Sequence, residues 1–148
     1  MRAIIQRVSE AKVVVDDEEV GKIAKGFLIF VGVEDADDEE DIKYLSRKIA
    51  NMRIFEDADG KMNLSLKKVA GEILSVSQFT LHADTKKGNR PSFVKAADGN
   101  YAERMYEKLN SRLAKEGIEV QTGVFGADMD VSLVNDGPVT IIIDSKDR

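Results

Sequence analysis

The N-terminal part of the chain shows the alternation of polar and apolar residues that is typical of β-strands. Residues 2–9 and 11–15 follow this two-residue period and predict two strands. An acidic turn at 16–19 leads to a third predicted strand near 20–24. Residues 26–33 form a continuous apolar run bounded by glycines, which indicates a strand buried on both faces.

Two later segments change to the helical period, in which apolar residues recur every three or four positions. The first predicted helix covers about 38–51, and Asp37 with Glu40 resembles a capping box at its start. The second covers about 95–116, and Gly117 is a suitable C-terminal stop. The apolar stripes consist of Ile42, Leu45, Ile49 and Met52 in the first helix, and of Tyr101, Met105, Leu109 and Leu113 in the second.

The remaining pattern adds several strands. The predicted strands are 53–56, 72–81, 118–124, 129–134 and 139–144, with a turn at 59–60 and a loop at 82–91. The early strands resemble hairpins, so the sheet should be mixed or antiparallel rather than doubly wound. We therefore expect an α/β fold in one compact domain over 1–148, with mixed or antiparallel sheets or a barrel-like β core and two main helices.

The amino-acid composition excludes several kinds of functional site. The chain has no cysteine, which removes disulfides, thiolate catalysis and thiolate zinc sites, and its one histidine cannot build a His-rich metal site. No phosphate-binding Gly-x-Gly-x-x-Gly or Walker motif follows a strand. We expect neither a metal nor another cofactor. The start is not a signal peptide and no apolar run is long enough to cross a membrane, so we expect a cytoplasmic protein.

The net charge restricts the partners. The chain has 27 acidic and 22 basic residues, a formal net charge of -5. This balance disfavours DNA and wholesale nucleic-acid binding, which usually requires a basic domain. Bases nevertheless gather at 85–90, where Lys86, Lys87 and Arg90 could form a local patch.

Two short segments combine strand-forming residues with polar groups that a buried strand does not need. In Ser77–Leu81, a strand would place Thr80 and His82 on one face, which suggests an activated hydroxyl; alternatively, Thr80 is an ordinary strand threonine and His82 a surface histidine. In Asn135–Thr140, the Gly137-Pro138 pair is either simple turn chemistry or a backbone element held at a functional tip.

A series of motifs in a fixed order is more specific than either segment alone. The motifs are MRAIIQRV at 1–8, SQFTL at 77–81, Ala83-Asp84, Lys87-Gly88, RPSF at 90–93, FGADM at 125–129 and NDGPVT at 135–140. Together they resemble the D-aminoacyl-tRNA deacylases, often called D-tyrosyl-tRNA deacylases, along the full length of the chain.

The resemblance implies hydrolysis of the ester that joins a D-amino acid to the 3′ end of tRNA, with some action on glycyl-tRNA. It also implies a homodimer with each active site at the subunit interface. A cis Gly-Pro dipeptide of one subunit would reach into the pocket of the other and reject L-aminoacyl groups by steric clash.

Residue roles follow from the same resemblance. Gly137 and Pro138 would perform chiral rejection, and Arg7 would hold their orientation. Thr80 is the candidate catalytic residue; either it acts as nucleophile, or the terminal ribose 2′-hydroxyl assists water while backbone N–H groups hold the oxyanion. The second route is favoured because the sequence supplies no dependable base beside Thr80. Residues implied to bind the amino acid or terminal adenosine are Ser77, Gln78, Phe79 and, as pocket wall, Met129.

The tRNA phosphates require cationic contacts, for which Lys86, Lys87 and Arg90 are the candidates. Two other interpretations remain. The chain could be a non-catalytic, dimeric tRNA-binding module whose Gly-Pro is a structural turn, or a general esterase that uses Thr80 and His82.

Overall fold

The computed structural model describes residues 1–148 and contains eight strands, two α-helices and one short 3-10 helix. The strands are β1 (Arg2–Val15), β2 (Glu18–Ile23), β3 (Gly26–Gly32), β4 (Phe55–Glu56), β5 (Met62–Leu64), β6 (Glu72–Ser77), β7 (Val120–Thr122) and β8 (Asp130–Asp144). The helices are α1 (Glu39–Asn51), the 3-10 helix (Phe79–His82) and α2 (Gly99–Lys115).

The sheet is organised around β1, which is long enough to pair with three other strands. One side of β1 pairs antiparallel with β3 and then with β2, while the other side pairs with β8. On the far side of β3 the direction changes, because β3–β6 and β6–β7 are parallel pairs. β4 and β5 form a separate small hairpin. The predicted α/β class with a mixed sheet and two main helices is therefore confirmed.

The main sheet curves until its two ends approach each other. The amide of Lys22 on β2 donates to the side-chain oxygen of Gln121 on β7 at 2.8 Å. A Cβ atom at Gly21 would lie only 2.9 Å from the carbonyl oxygen of Thr122, so the absence of a side chain permits this approach. The result is a nearly closed, barrel-like sheet.

Two apolar clusters hold the layers together. The larger one, of 21 buried residues, lies between the sheet and the helices, and the smaller one, of 7, fills the concave side of the sheet. Along β3, Phe27 and Ile29 belong to the larger cluster and Leu28 to the smaller one. The prediction that this strand is buried on both faces is therefore confirmed. Neither α1 nor α2 is long and apolar enough to span a bilayer.

The cap of α1 differs from the predicted one by one residue. Asp38, with extended backbone, accepts hydrogen bonds from the amides of Glu40 and Asp41, and Asp41 accepts from the amide of Asp38 at 2.8 Å. The predicted cap residue, Asp37, is instead buried in an ion pair with the ammonium group of Met1. The capping box exists, but its two members are Asp38 and Asp41.

Several predicted strand limits were wrong. The predicted strands 2–9 and 11–15 are parts of the single strand β1, and the predicted strands 129–134 and 139–144 are parts of the single strand β8. The pairing of β1 with β8 shifts in register but continues past the predicted break in each strand. The predicted strand 72–81 stops at Ser77, after which the chain turns into the 3-10 helix. The strand β5 was not predicted.

The close pairing of β3 with β6 gives a stability prediction. A Cβ at Gly26 would lie 1.9 Å from the carbonyl oxygen of Glu72, a backbone atom that no rotamer change can move. We expect Gly26→Ala to lower the free energy of unfolding by at least about 3 kcal/mol in a urea titration. The matched control is Gly99→Ala, since nothing lies within 4 Å of that position; it should be neutral or slightly stabilising. Equal effects of the two substitutions would contradict this account.

Candidate active site

A large, mostly apolar groove lies at the C-terminal ends of the parallel strands. Because β3 and β6 are parallel, Val31 and Ser77 lie side by side at their ends. The groove beyond them has a volume of about 630 Å³, and 12 of its 17 lining residues are hydrophobic. Four predicted substrate-binding residues lie on its wall: Ser77, Gln78, Phe79 and Met129. The fold brings these four side chains to one surface. Their roles in substrate binding stay predictions.

A sharp turn after β6 shapes one side of the groove. The amide of Gln78 still donates to the carbonyl oxygen of Val31 at 2.8 Å, and the 3-10 helix begins directly afterwards. The side-chain amide of Gln78 donates a hydrogen bond to the hydroxyl of Thr80. Thr80 is half-buried and is not among the groove-lining residues. The amides of Phe79 and Thr80, at the start of the 3-10 helix, have no partner within that helix.

His82 is not the surface histidine that one interpretation of the sequence expected. Its side chain is buried, at 4% exposure, and lies against Gly32 of β3. Its Nε2 atom has no hydrogen-bond partner in the protein, and no hydrogen bond joins it to Thr80. The predicted common face of Thr80 and His82 was wrong, because this segment is a 3-10 helix rather than a strand.

The opposite wall of the groove comes from the turn between β7 and β8. Phe125 and Met129 lie on this wall. A Cβ at Gly123 would lie 2.5 Å from the sulfur of Met129, so glycine there allows the thioether to pack against the backbone. The backbone at Gly123 therefore supports the side chain of Met129, which presents a polarizable, apolar surface to the groove.

The Gly137-Pro138 pair projects from β8 as a bulge. Between the pairs Gln6–Thr140 and Val8–Asn135, β1 advances by two residues while β8 advances by five. The extra residues leave the ladder, and Gly137 and Pro138 are exposed. Their peptide bond is cis, and Gly137 has a φ of 126°.

Two side chains hold this bulge. The guanidinium of Arg7, which is 4% exposed, donates to the carbonyl oxygens of Asp136 at 3.2 Å and of Ile54 at 2.5 Å. The side-chain amide of Asn135 donates to the carbonyl oxygens of Arg7 and Val139, both at 2.9 Å. Arg7 and Asn135 thus both contact the backbone next to the Gly137-Pro138 pair. The sequence resemblance implied such a contact for Arg7 and none for Asn135, and the role of Arg7 in orienting the pair stays a prediction.

The bulge and the groove are separate features of one chain. Neither Gly137 nor Pro138 is among the groove-lining residues. The predicted site residues thus divide into two groups, one at the groove and one on the edge strand β8.

The basic residues occupy an exposed loop beside the groove. Asp84 and Ser92 close this loop by two backbone hydrogen bonds of 2.8 and 2.9 Å. The backbone amide of Lys86, followed by the side chain of Lys95, lowers the pKa of Asp84 below its ordinary value. Between these anchors, Lys86, Lys87 and Arg90 are exposed.

The structure also adds Phe93, which lies on the groove wall but had no assigned role. Its place in the RPSF segment was the available signal. No three or more His, Cys, Asp or Glu side chains come together in a way that could hold a metal ion.

Comparison with known proteins shows the family of the chain. A protein family described as D-Tyr-tRNA(Tyr) deacylase matches residues 4–144. A "D-aminoacyl-tRNA deacylase" of Flavobacterium psychrophilum is 60% identical over 149 residues, covering 100% of this chain and 99% of the relative. The chain belongs to the D-Tyr-tRNA(Tyr) deacylase family.

Two solved structures share the fold. A "c-Myc DNA Unwinding Element Binding Protein" superposes with a TM-score of 0.91 at 38% identity, covering 97% of this chain and 98% of the other. A "probable eukaryotic D-amino acid tRNA deacylase" gives a TM-score of 0.82 at 16% identity, covering 96% and 97% of the two chains. At that identity the second likeness concerns the fold alone.

The buried arginine gives a prediction about the bulge. Lysine at position 7 cannot donate to two separate carbonyl groups in the planar fork geometry of a guanidinium. We expect Arg7→Lys to lower the free energy of unfolding by about 2–3 kcal/mol, and to accelerate hydrogen exchange of the amides in 135–139. Arg53→Lys is the control, because Arg53 is exposed and also donates to a backbone carbonyl; its effect should stay within about 0.5 kcal/mol. Unchanged exchange in the bulge would show that Arg7 does not hold it.

Proposed function

We propose that this protein, as one deacylase domain over 1–148, hydrolyses the ester bond of D-aminoacyl-tRNA and releases free tRNA and the D-amino acid. Membership of the D-Tyr-tRNA(Tyr) deacylase family makes it an ester hydrolase of aminoacyl-tRNA. The observation that carries the siting of this activity is the convergence of Ser77, Gln78, Phe79 and Met129 on one groove. Such an enzyme removes mischarged tRNA before translation, which fits a cytoplasmic location.

Chiral selection is assigned to Gly137 and Pro138. D- and L-aminoacyl groups carry identical atoms, so affinity for the side chain cannot separate them. A rigid wall on one side of the α-carbon can do so, because it clashes with only one configuration. The bulge suits this role since Arg7 and Asn135 fix its backbone from both sides. Glycine has no side chain to clash, so some hydrolysis of glycyl-tRNA follows.

The separation of bulge and groove supports a homodimer with the active site at the subunit interface. A wall that is absent from the groove of its own chain must come from a second copy. The strand that carries the bulge, β8, pairs only with β1 and leaves its other edge free. Val134 and Ile142 on this strand are 50% and 66% exposed, which provides apolar surface for a subunit contact.

The proposed chemistry needs no side-chain base. Water attacks the ester carbonyl carbon, the 2′-hydroxyl of the terminal ribose assists removal of its proton, and the carbonyl oxygen becomes an oxyanion. The amides of Phe79 and Thr80 are available as oxyanion donors. The intermediate then loses the ribose 3′-oxygen, which takes up a proton. Thr80 is the candidate catalytic residue through its position at this oxyanion rather than as nucleophile.

The two other interpretations have less support. A general esterase would need His82 to activate Thr80, but the imidazole is buried and the hydroxyl accepts from Gln78 instead. A non-catalytic tRNA-binding module would not require an apolar groove of this size beside the motif residues.

Paired assays on the two mirror forms test the proposal. The wild-type protein should hydrolyse D-aminoacyl-tRNA at least about 100-fold faster than L-aminoacyl-tRNA of the same amino acid. Thr80→Ala should lower the D-rate by less than the 10²–10³-fold typical of a lost oxyanion donor, because its backbone amide remains. Equal rates on both mirror forms, or no hydrolysis of either, would refute the proposed activity.

Gly137→Ala should reduce the selectivity. A Cβ at this position would lie 2.8 Å from Cγ2 of Val139 and 3.2 Å from a guanidinium nitrogen of Arg7, in a conformation with positive φ. The bulge must therefore shift, and we expect the D/L rate ratio to fall at least about tenfold. Gly60→Ala is the control, since Gly60 also has a positive φ but no neighbour within 4 Å; its ratio should match the wild type.

The basic loop makes tRNA affinity salt-dependent. We propose that Lys86, Lys87 and Arg90 contact phosphates near the acceptor end. The double substitution Lys86→Ala/Lys87→Ala should reduce the slope of log Kd against log salt by about 0.7–0.9 per lost contact in filter binding. Lys61→Ala/Lys68→Ala removes two exposed lysines elsewhere and should leave the slope unchanged. Tight binding that does not depend on salt would exclude this contact.

A further inference from the structure

Three neighbouring apolar side chains at the groove are exposed, and two of them are aromatic residues of the groove wall. The rings of Phe79 and Phe93 meet edge to face, with centroids 5.2 Å apart and an interplanar angle of 76°. They nevertheless remain 55% and 37% exposed, and the adjacent Val94 is 84% exposed. We call these three residues the aromatic platform. An exposed apolar cluster of this kind at the rim of a groove is typical of a binding surface.

The platform is held by ordered backbone. Ser92, which precedes it, is bridged to Asp84 by two hydrogen bonds. The carbonyl oxygen of Phe93 accepts from the amide of Ala96 at 3.0 Å, and the amide of Ala97 donates to the carbonyl oxygen of Val33 at 2.9 Å. The ring of Phe93 is therefore presented from a fixed position, so that a ligand stacking on it does not have to order a loop.

The charges around the platform identify its ligand. Lys95 is engaged with Asp84 at 3.3 Å. By contrast, Lys86, Lys87 and Arg90 form no ion pair within the chain. Exposed aromatic rings next to unpaired cations are the combination that binds single-stranded nucleic acid, because bases stack on the rings while cations neutralise the backbone.

The exposed apolar surface on β8 differs from the aromatic platform in the charges that surround it. On β8, Val134 and Ile142 lie on a strand that carries Asp130, Asp136 and Asp144. Acidic surroundings disfavour a phosphate backbone, whereas they are compatible with the subunit contact proposed above. The cationic surroundings of the platform therefore favour RNA over a second protein chain as its partner.

We propose that Phe93 stacks with the base of the unpaired nucleotide immediately 5′ of the terminal adenosine of the tRNA. This inference rests on the proposed function, which puts the ester on the terminal ribose inside the groove. The preceding nucleotide then leaves the groove across its rim, where the platform lies between the groove and the basic loop. Phe93 is thus a binding residue that recognises an RNA-borne ester, without contact with the reacting atoms.

Fluorescence tests the stacking without any chemistry. The probe is a non-aminoacylated RNA oligonucleotide with the sequence of the tRNA acceptor end. In this oligonucleotide, 2-aminopurine replaces the base 5′ of the terminal adenosine. We expect the wild-type protein to quench its emission, Phe93→Ala to lose the quenching, and Phe93→Tyr to retain it. Met62→Ala, which removes another side chain of 53% exposure, should quench as the wild type does. Quenching that persists in Phe93→Ala would overturn the proposal.

Kinetics on two substrates distinguish a base contact from a pocket defect. Phe93→Ala should raise KM for D-aminoacyl-tRNA about tenfold with kcat unchanged. Because the Phe93 ring also lines the groove, KM for the D-aminoacyl-adenosine, which lacks the preceding base, should rise as well, but by a clearly smaller factor. An equal rise of KM on both substrates would mean that Phe93 acts only as part of the groove wall, and would overturn the proposed stacking. A change of sedimentation coefficient in Phe93→Ala would assign the platform to a protein contact. If the wild type hydrolyses neither substrate while the quenching depends on Phe93, the proposed function fails and the stacking stands.

Discussion

The buried guanidinium of Arg7 is the interaction on which the arrangement of this protein depends. A buried cation must place its donors on acceptors inside the protein, since unpaired charge is costly there. Arg7 does so on the backbone carbonyl groups of Asp136 and Ile54, which belong to the β8 bulge and to the segment after α1. One side chain thereby couples the edge strand to the helix layer. These hydrogen bonds tie the bulge to the core, and the proposed selection by clash requires a backbone that is held in this way.

The sheet topology separates two tasks that the proposed reaction needs. Parallel pairing brings the ends of β3 and β6 to one edge, where the groove and the turn at Gln78 lie. Antiparallel pairing with β1 carries β8 along the other side, with its outer edge unpaired. The residues proposed for substrate binding and those proposed for chiral rejection thus lie on different strands of one chain. A second copy that docks through β8 would bring them together, so that assembly and activity depend on each other.

The sequence predicted those features that depend on local pattern. The two-face burial of β3 followed from its apolar run, and the α/β class followed from the change of period between strands and helices. It did not predict the end of β6, because alternating residues such as Phe79 and Leu81 fit a strand as well as a 3-10 helix. The burial of His82 could not be inferred either, since it depends on the space that Gly32 leaves on another strand. The position of Gly137 relative to the groove depends on how β8 pairs with β1. The register of that pairing cannot be derived from a single sequence.

The proposed recognition of tRNA combines two kinds of contact, which are phosphate contacts by cations and base stacking on aromatic rings. With a net charge of -5, the protein cannot hold tRNA by a general positive surface. Three exposed cations without an ion pair, Lys86, Lys87 and Arg90, lie together in one loop. The exposed rings of Phe79 and Phe93 lie between that loop and the groove. In the proposed complex, stacking adds affinity that salt hardly screens, while phosphate contacts remain few. An enzyme that must let go of the deacylated tRNA after each turnover gains from this balance, because a few localised contacts orient the acceptor end without retaining the whole molecule.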